Sequence, residues 1–408
     1  MKLKNTPPFI IKAQKAREAK IYMRKHRLFG VISAVCVMLS ILYSFKGVSQ
    51  TPTSKVLLTT NPPLERILPF RAATTKHQEP VTLTFQALDA AGKSIKDAKI
   101  GLEILTPKRT PFLTTDFPIV EETKLLKMET VVRDGKLEIQ QMLPIRGEYQ
   151  FKVNVAPLAA NRFAPYEQTL SLSVHENPVK FKYFAAVAAI LLLVGLLGGL
   201  VIGGQQQLEA GEIAPYRVRL LLSGLIIVAI ASLLAINISA EMAEAHGSNS
   251  EHSAEKVLPA TLNSQGLEVR LEGDKDATVG KLANYTVQVS DTATKQPVKD
   301  VVLQVKAIAL SDNLPMFAFK AIPDSSGKLT WQEQFFDGAP HNVEVEVTPQ
   351  GGSNRQLQPV KVAQEVEVKG IAPPIYIRFI SLVYFTAIVG LGLGIGLWLR
   401  HGKTQQAV

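Results

Sequence analysis

The stretch Gly135–Val155, GKLEIQQMLPIRGEYQFKVNV, is written a second time, without a gap, as Gly327–Val347, GKLTWQEQFFDGAPHNVEVEV. Both copies open on Gly-Lys-Leu, both carry a glutamine at the same offset (Gln140, Gln332), and Pro157 answers Pro349 beyond their ends. Each closes on an alternating apolar run, Phe151-Val153-Val155 in one and Val343-Val345-Val347 in the other. Apolar side chains at period two line one face of a half-buried strand. The chain is therefore expected to carry one β-domain in each half, the two related by tandem duplication.

The flanking order supports this. Val81–Ala87 reads as a strand, Asp89–Lys93 as a turn and Ile100–Leu105 as the next strand; Tyr285–Val289, Asp291–Gln296 and Val301–Ala307 repeat the series. Gln168–Val174 and Val362–Val368 close the two domains. Short strands separated by turn chemistry point to antiparallel sandwiches, here spanning 46–182 and, with a linker, 241–378. Domains of about 100 residues can bury a core of their own.

Four further stretches, Leu28–Phe45, Tyr183–Gly204, Leu220–Ala240 and Phe379–Leu399, contain no charged side chain and run 18 to 22 residues each. That length crosses a hydrocarbon core of about 30 Å. The expected architecture is an α + β membrane protein: four transmembrane helices, at 28–45, 183–204, 220–240 and 379–399, with two extracytoplasmic immunoglobulin-like antiparallel β-sandwiches. The first stretch is alternatively a long signal-peptide core, with Gly47-Val48-Ser49 as the cleavage site. Residues 1–27 hold nine Lys/Arg and one Glu, eight of the net +10 charges of the chain. Such a block belongs on the cytoplasmic side, where it can also lie against anionic lipid. Four crossings would leave the loop 205–219 and the tail 400–408 on that same side, in a cell membrane. Lys180, Lys182 and Arg378, just outside the membrane on this scheme, run mildly against the rule.

Within the expected helices, Gly199-x-x-x-Gly203, Gly390-x-x-x-Gly394 and Gly392-x-x-x-Gly396 present glycine faces that allow close helix packing. The expected crossings hold no Asp, Glu, Lys, Arg or His, which disfavours a channel or transporter acting alone. No nucleophile elbow, zinc-protease or phosphate-loop motif is present, so a non-enzymatic role is expected. Cys36 is the single cysteine, and exported domains without cystines suit a bacterial envelope. The one chemical candidate is the stretch Glu241–Glu255, where Met242, His246 and His252 could hold copper or zinc; a solvated acidic linker is the preferred reading, because two histidines without fixed spacing or a rigid scaffold do not make a site. Met316 and His341, expected in turns, are weaker ligands. Residues 46–182 carry 19 basic and 14 acidic groups, residues 240–378 carry 13 and 18; opposite signs favour two surfaces that face each other, and drift of unrelated surfaces accounts for them equally well.

From Val279 to Val347 the second domain resembles the YtkA-like and FixH-like envelope domains of bacteria. The resemblance rests on Gly280 before the first strand, the run VQVSDTATKQPVKDVVLQV and a Gly-Lys-Leu strand, and LTFQALDAAGKSIKDAKIGLEIL follows the same plan in the first. It implies immunoglobulin-like sandwiches tied to a membrane, in some cases linked to copper or to cytochrome oxidase assembly. The expected role is an interaction or assembly module of an envelope complex, with a metal-delivery or sensing accessory and a transporter accessory subunit as alternatives. Expected partners are membrane lipid and a membrane or envelope protein, or a second copy; nothing points to nucleic acid.

Overall fold

Alternation of apolar residues is realised as strands whose inward positions are buried. β2 (Val81–Leu88) and β3 (Ala98–Leu105) each bury every second side chain, as do β11 (Leu282–Asp291) and β12 (Val301–Ala309) along most of their length. The structure, a computed structural model, describes residues 54–71, 78–110, 115–159, 162–203, isolated positions between 215 and 223, 258–351, 358–372 and 374–404. The remaining strands of the N-terminal half are β1 (Lys55–Asn61), β4 (Lys124–Val132), β5 (Lys136–Gln141), β6 (Gly147–Pro157) and β7 (Tyr166–Val174). The C-terminal half adds β8 (Thr261–Ser264), β9 (Leu267–Gly273), β10 (Asp276–Thr278), β13 (Leu314–Ala321), β14 (Lys328–Gln334), β15 (His341–Pro349) and β16 (Val360–Lys369).

The turns match between the halves. Asp89 Oδ1 accepts from the backbone N–H of Ala91 (2.9 Å) and Lys93 (2.8 Å), and Asp291 Oδ1 from Ala293 (3.1 Å) and Thr294 (3.0 Å). Such Asx turns tighten the chain reversal. Gly135 and Gly327, the opening residues of the twice-written stretch, both have positive φ, 75° and 74°. Their carbonyls accept from Ala87 N and Val289 N, both at 2.9 Å. A side chain at Gly135 would collide with Ile95 O, and a Cβ at Gly327 would sit 2.5 Å from Val289 O. Only glycine fits both the torsion and the space.

Two eight-stranded sheets result, ordered β1-β2-β5-β13-β12-β15-β16-β10 and β7-β6-β3-β4-β14-β11-β9-β8. Each runs through both halves of the chain. One seam is β5 on β13, with Ile139, Gln140 and Gln141 opposite Phe319, Ala318 and Phe317. The other is β4 on β14, with Leu126, Lys127 and Met128 opposite Glu333, Gln332 and Trp331. The twice-written stretch thus supplies one strand to each seam. Read outward from the seams, β5-β2 in one sheet answers β14-β11 in the other, and β4-β3-β6-β7 answers β13-β12-β15-β16. Unpaired edge strands seek partners, and here each half satisfies the other's. Side chains also link the halves: Thr123 Oγ1 donates to Gln334 Oε1 (3.0 Å), and Ile322 N donates to Thr130 Oγ1 (3.3 Å).

These findings correct the expected architecture. The β-part is one pair of continuous sheets, not two separate sandwiches. Among the described residues there are two long apolar helices, α1 (Pro178–Ile202) and α2 (Ile375–Thr404), not four. Leu28–Phe45 lies outside the described residues, and so does Leu220–Ala240 apart from isolated positions. Met316 and His341 stand in β13 and β15 rather than in turns, and both are buried. Strand parity puts them there: Met316 falls on a buried position of β13, and His341 shares its face with Val343 and Val345.

Candidate functional site: a glycine-packed helix pair and its ionic collar

Each β-half hands over directly to a helix. Asn177 caps α1, its Oδ1 accepting from Val179 N at 3.0 Å with Pro178 in the first turn. Proline there has no N–H to leave unsatisfied. Contacts advance together along the two helices: Leu192 with Gly392, Leu196 with Gly396, and Leu200 O accepting from Arg400 Nη1 at 3.0 Å. The helices are therefore parallel, and α2 closes an open carbonyl near the end of α1.

Glycine makes this approach close. A side chain at Gly199 would collide with Leu393 O, one at Gly392 with Leu192 O, and one at Gly396 with Leu196 O. A Cβ at Gly199 would also sit 2.9 Å from the Gly396 Cα. Gly203 is looser: a Cβ there would meet Arg400 Cβ at 3.3 Å as its nearest neighbour on the other helix. Gly390 and Gly394 meet nothing within 4 Å and face away from α1. Gly195, which collides with Val389 O if given a side chain, belongs to the seam and was not singled out from sequence. Its spacing to Gly199 repeats the same four-residue signal. The stretch bearing Met242, His246 and His252 lies outside the described residues.

Where the helices meet the sheets, a collar of charges joins them. Lys180 pairs with Asp116 and, at 3.3 Å, with Glu176; Arg146 reaches Glu176 at 2.7 Å. Arg109 lies 5.0 Å over the Tyr376 ring of α2 and 3.5 Å from Glu121, which also accepts from Thr115 Oγ1 at 3.0 Å. Burial pushes the Glu121 carboxyl up, with Thr115 and Arg109 opposing. For Glu176 burial acts the same way, but hydrogen bonds from Arg146, the Asn177 N–H and Lys180 outweigh it and hold the carboxyl below the usual range. One connection, between β3 and β4, thereby contacts both helices. His175-Glu176 reads from sequence as a polar boundary; Lys180 stands one helical turn from Glu176, whereas Arg146 comes from a distant loop and left no local signal.

Away from the glycine seam the helices expose large apolar side chains. Phe181, Ile190 and Leu197 of α1 and Phe379, Val383 and Trp398 of α2 are each 60% or more exposed. Both helices are long and apolar enough to cross a membrane.

The described residues define a two-sheet β-sandwich, antiparallel except where β10 pairs with β16, joined to a helix pair. No family model matches the chain, and no curated protein matches it either. Among solved structures, a CARDB domain from Pyrococcus furiosus in complex with di-metal ions is 16% identical, covering 26% of this chain and 94% of that one, with a TM-score of 0.21. FetP from uropathogenic Escherichia coli is 8% identical over 28% of this chain and 96% of its own, at TM-score 0.21. Trypsin-activated alpha-2-macroglobulin from Escherichia coli is 12% identical over 78% of this chain but 16% of its own, at TM-score 0.20. Likeness at this level carries no functional argument.

Proposed function

We propose that this chain is a non-enzymatic membrane protein that holds a fused pair of immunoglobulin-like sandwiches at a membrane surface, as a docking or assembly module for an envelope complex. The observation that carries this is the apolar girdle around the helix pair. Exposed side chains of this size, continuous around two parallel helices, are costly in water and favourable in lipid. From Tyr376 to Trp398 the second helix rises about 33 Å at ~1.5 Å per residue, close to the ~30 Å hydrocarbon thickness. Aromatic residues at both ends suit the two interfaces. Arg400 and Lys403 at the far end of α2 favour the cytoplasm on that side and the sandwich on the other, by the preference of cytoplasmic flanks for Lys and Arg. The matching strand orders support descent of the halves from one duplicated unit. The ionic collar fixes the sandwich to its anchor, which a docking platform requires.

Alkaline carbonate washing of membranes from cells expressing the full chain tests the anchor. The protein is expected to stay in the pellet and to leave it only with detergent; release by carbonate would contradict the reading. Protease added outside spheroplasts should cleave within the sandwich and spare the region around Lys403.

A further inference from the structure

The halves meet on short ladders. β5–β13 and β4–β14 carry three residue pairs each, against nine in β12–β15 and seven in β11–β14. Among the described residues, five buried side-chain polar atoms lack a hydrogen-bond partner, and four of them, Gln141 Oε1, Trp331 Nε1, Glu333 Oε2 and Gln334 Nε2, belong to the seam strands β5 and β14. Buried polar atoms are normally paired, and unpaired ones lower the cost of letting water in.

Glu333 is the central one. It is 3% exposed and points inward beside Trp331, flanked in register by Ala283 of β11 and Leu126 of β4. Tyr285 of β11 is the titratable neighbour that senses its charge, with Asp274 beyond it. Lys127 of β4 sits on the outer face, paired with Glu103 at 3.5 Å. No cation reaches the carboxyl from these strands, so inside the closed seam it is neutral.

We propose that this seam is an opening line: closed while the Glu333 carboxyl is buried and neutral, open when water reaches it and it gives up its proton. The ladders on either side of the seam are longer, seven pairs in β11–β14, six in β2–β5, eight in β3–β4 and seven in β12–β13, so the backbone parts along this line first. Burial pushes the carboxyl up to about 8 in the closed form, the nearby Trp331 N–H offsetting little. A hydrated carboxyl titrates near 4.3. The closed form therefore binds one more proton between these values, and raising the pH favours opening about tenfold per unit.

Hydrogen exchange on the full-length protein in detergent micelles, corrected for intrinsic rates, tests this. Amides of the β5–β13 and β4–β14 seams are expected to be less protected than those of β12–β15. Their protection should fall about tenfold per pH unit between about pH 5 and pH 8, while β12–β15 holds steady. In Glu333→Gln, which keeps the shape of the side chain, the seam should lose that slope. Equal protection of seam and β12–β15, a parallel fall in both, or a slope that survives in Glu333→Gln would each overturn the proposal.

Discussion

Tyr149 and His341 occupy equivalent positions at the start of the twice-written apolar run, and their burial has different consequences. Tyr149 Oη donates to Ile145 O (2.7 Å) and accepts from Ile145 N (3.0 Å), so its hydroxyl is satisfied. His341 bonds Ala339 O through Nδ1 (2.6 Å) and leaves Nε2 without a partner. Burial holds its imidazole down at about 4. The unfolded chain takes up a proton near pH 6.5 and the folded chain does not, so this residue costs stability as pH falls from about 6.5 to 4. Thermal unfolding of His341→Phe should show less acid destabilisation across that window than the parent. Glu333 acts in the opposite direction, since its raised value removes stability as pH climbs from about 4.3 to 8. Glu333→Gln should be the more stable protein, by an amount that grows over this range and then levels off, on the order of a few kcal/mol. A melting difference that shrank with rising pH would contradict this. Both residues fall on the inward parity of their strands, a signal that reading His341 as a turn residue passed over and that did not single out Glu333. Whether a buried polar group finds a partner depends on strands distant in sequence.

Helix packing separates the glycines that spacing alone leaves equal. Gly199, Gly392 and Gly396 each lie against a carbonyl of the other helix, so valine there should destabilise the pair by about 1–3 kcal/mol or more. Gly390 and Gly394 have open space; alanine there should be neutral or favourable by up to about 1 kcal/mol per site, given its better helix propensity. Melting of the detergent-solubilised protein, followed by circular dichroism, distinguishes the two sets. Two overlapping Gly-x-x-x-Gly series on one helix face opposite ways, because a shift of two residues turns a helix by about 200° at 3.6 residues per turn. Sequence shows both series and leaves open which one meets the partner.

For the whole molecule, the strands and turns were readable, and their pairing across the halves was not. Each half carries enough alternation to build a sandwich, and nothing local in Leu126 or Phe317 says that its neighbour lies some 200 residues away. The expectation of two independent domains failed for that reason: edge strands have no sequence mark distinguishing a covered edge from an open one. The opposite net charges of the halves suggested facing surfaces; the halves do meet, through backbone ladders, neutral side chains and the pull of Lys99 on the Asp324 carboxyl.

The central claim is that the halves join within one chain along two strand seams. In a Cys36→Ser background, cysteines at Lys127 and Gln332, opposed in register across β4–β14, should oxidise to a disulfide inside the monomer, seen as a faster non-reducing band and a mass loss of about 2 Da; opposed strand positions have the separation such a bond needs. A Glu103/Lys152 cysteine pair on β3–β6 provides the control within one half. Cross-linking of the control alone, or a seam bond found only between two chains, would contradict the fused sandwich.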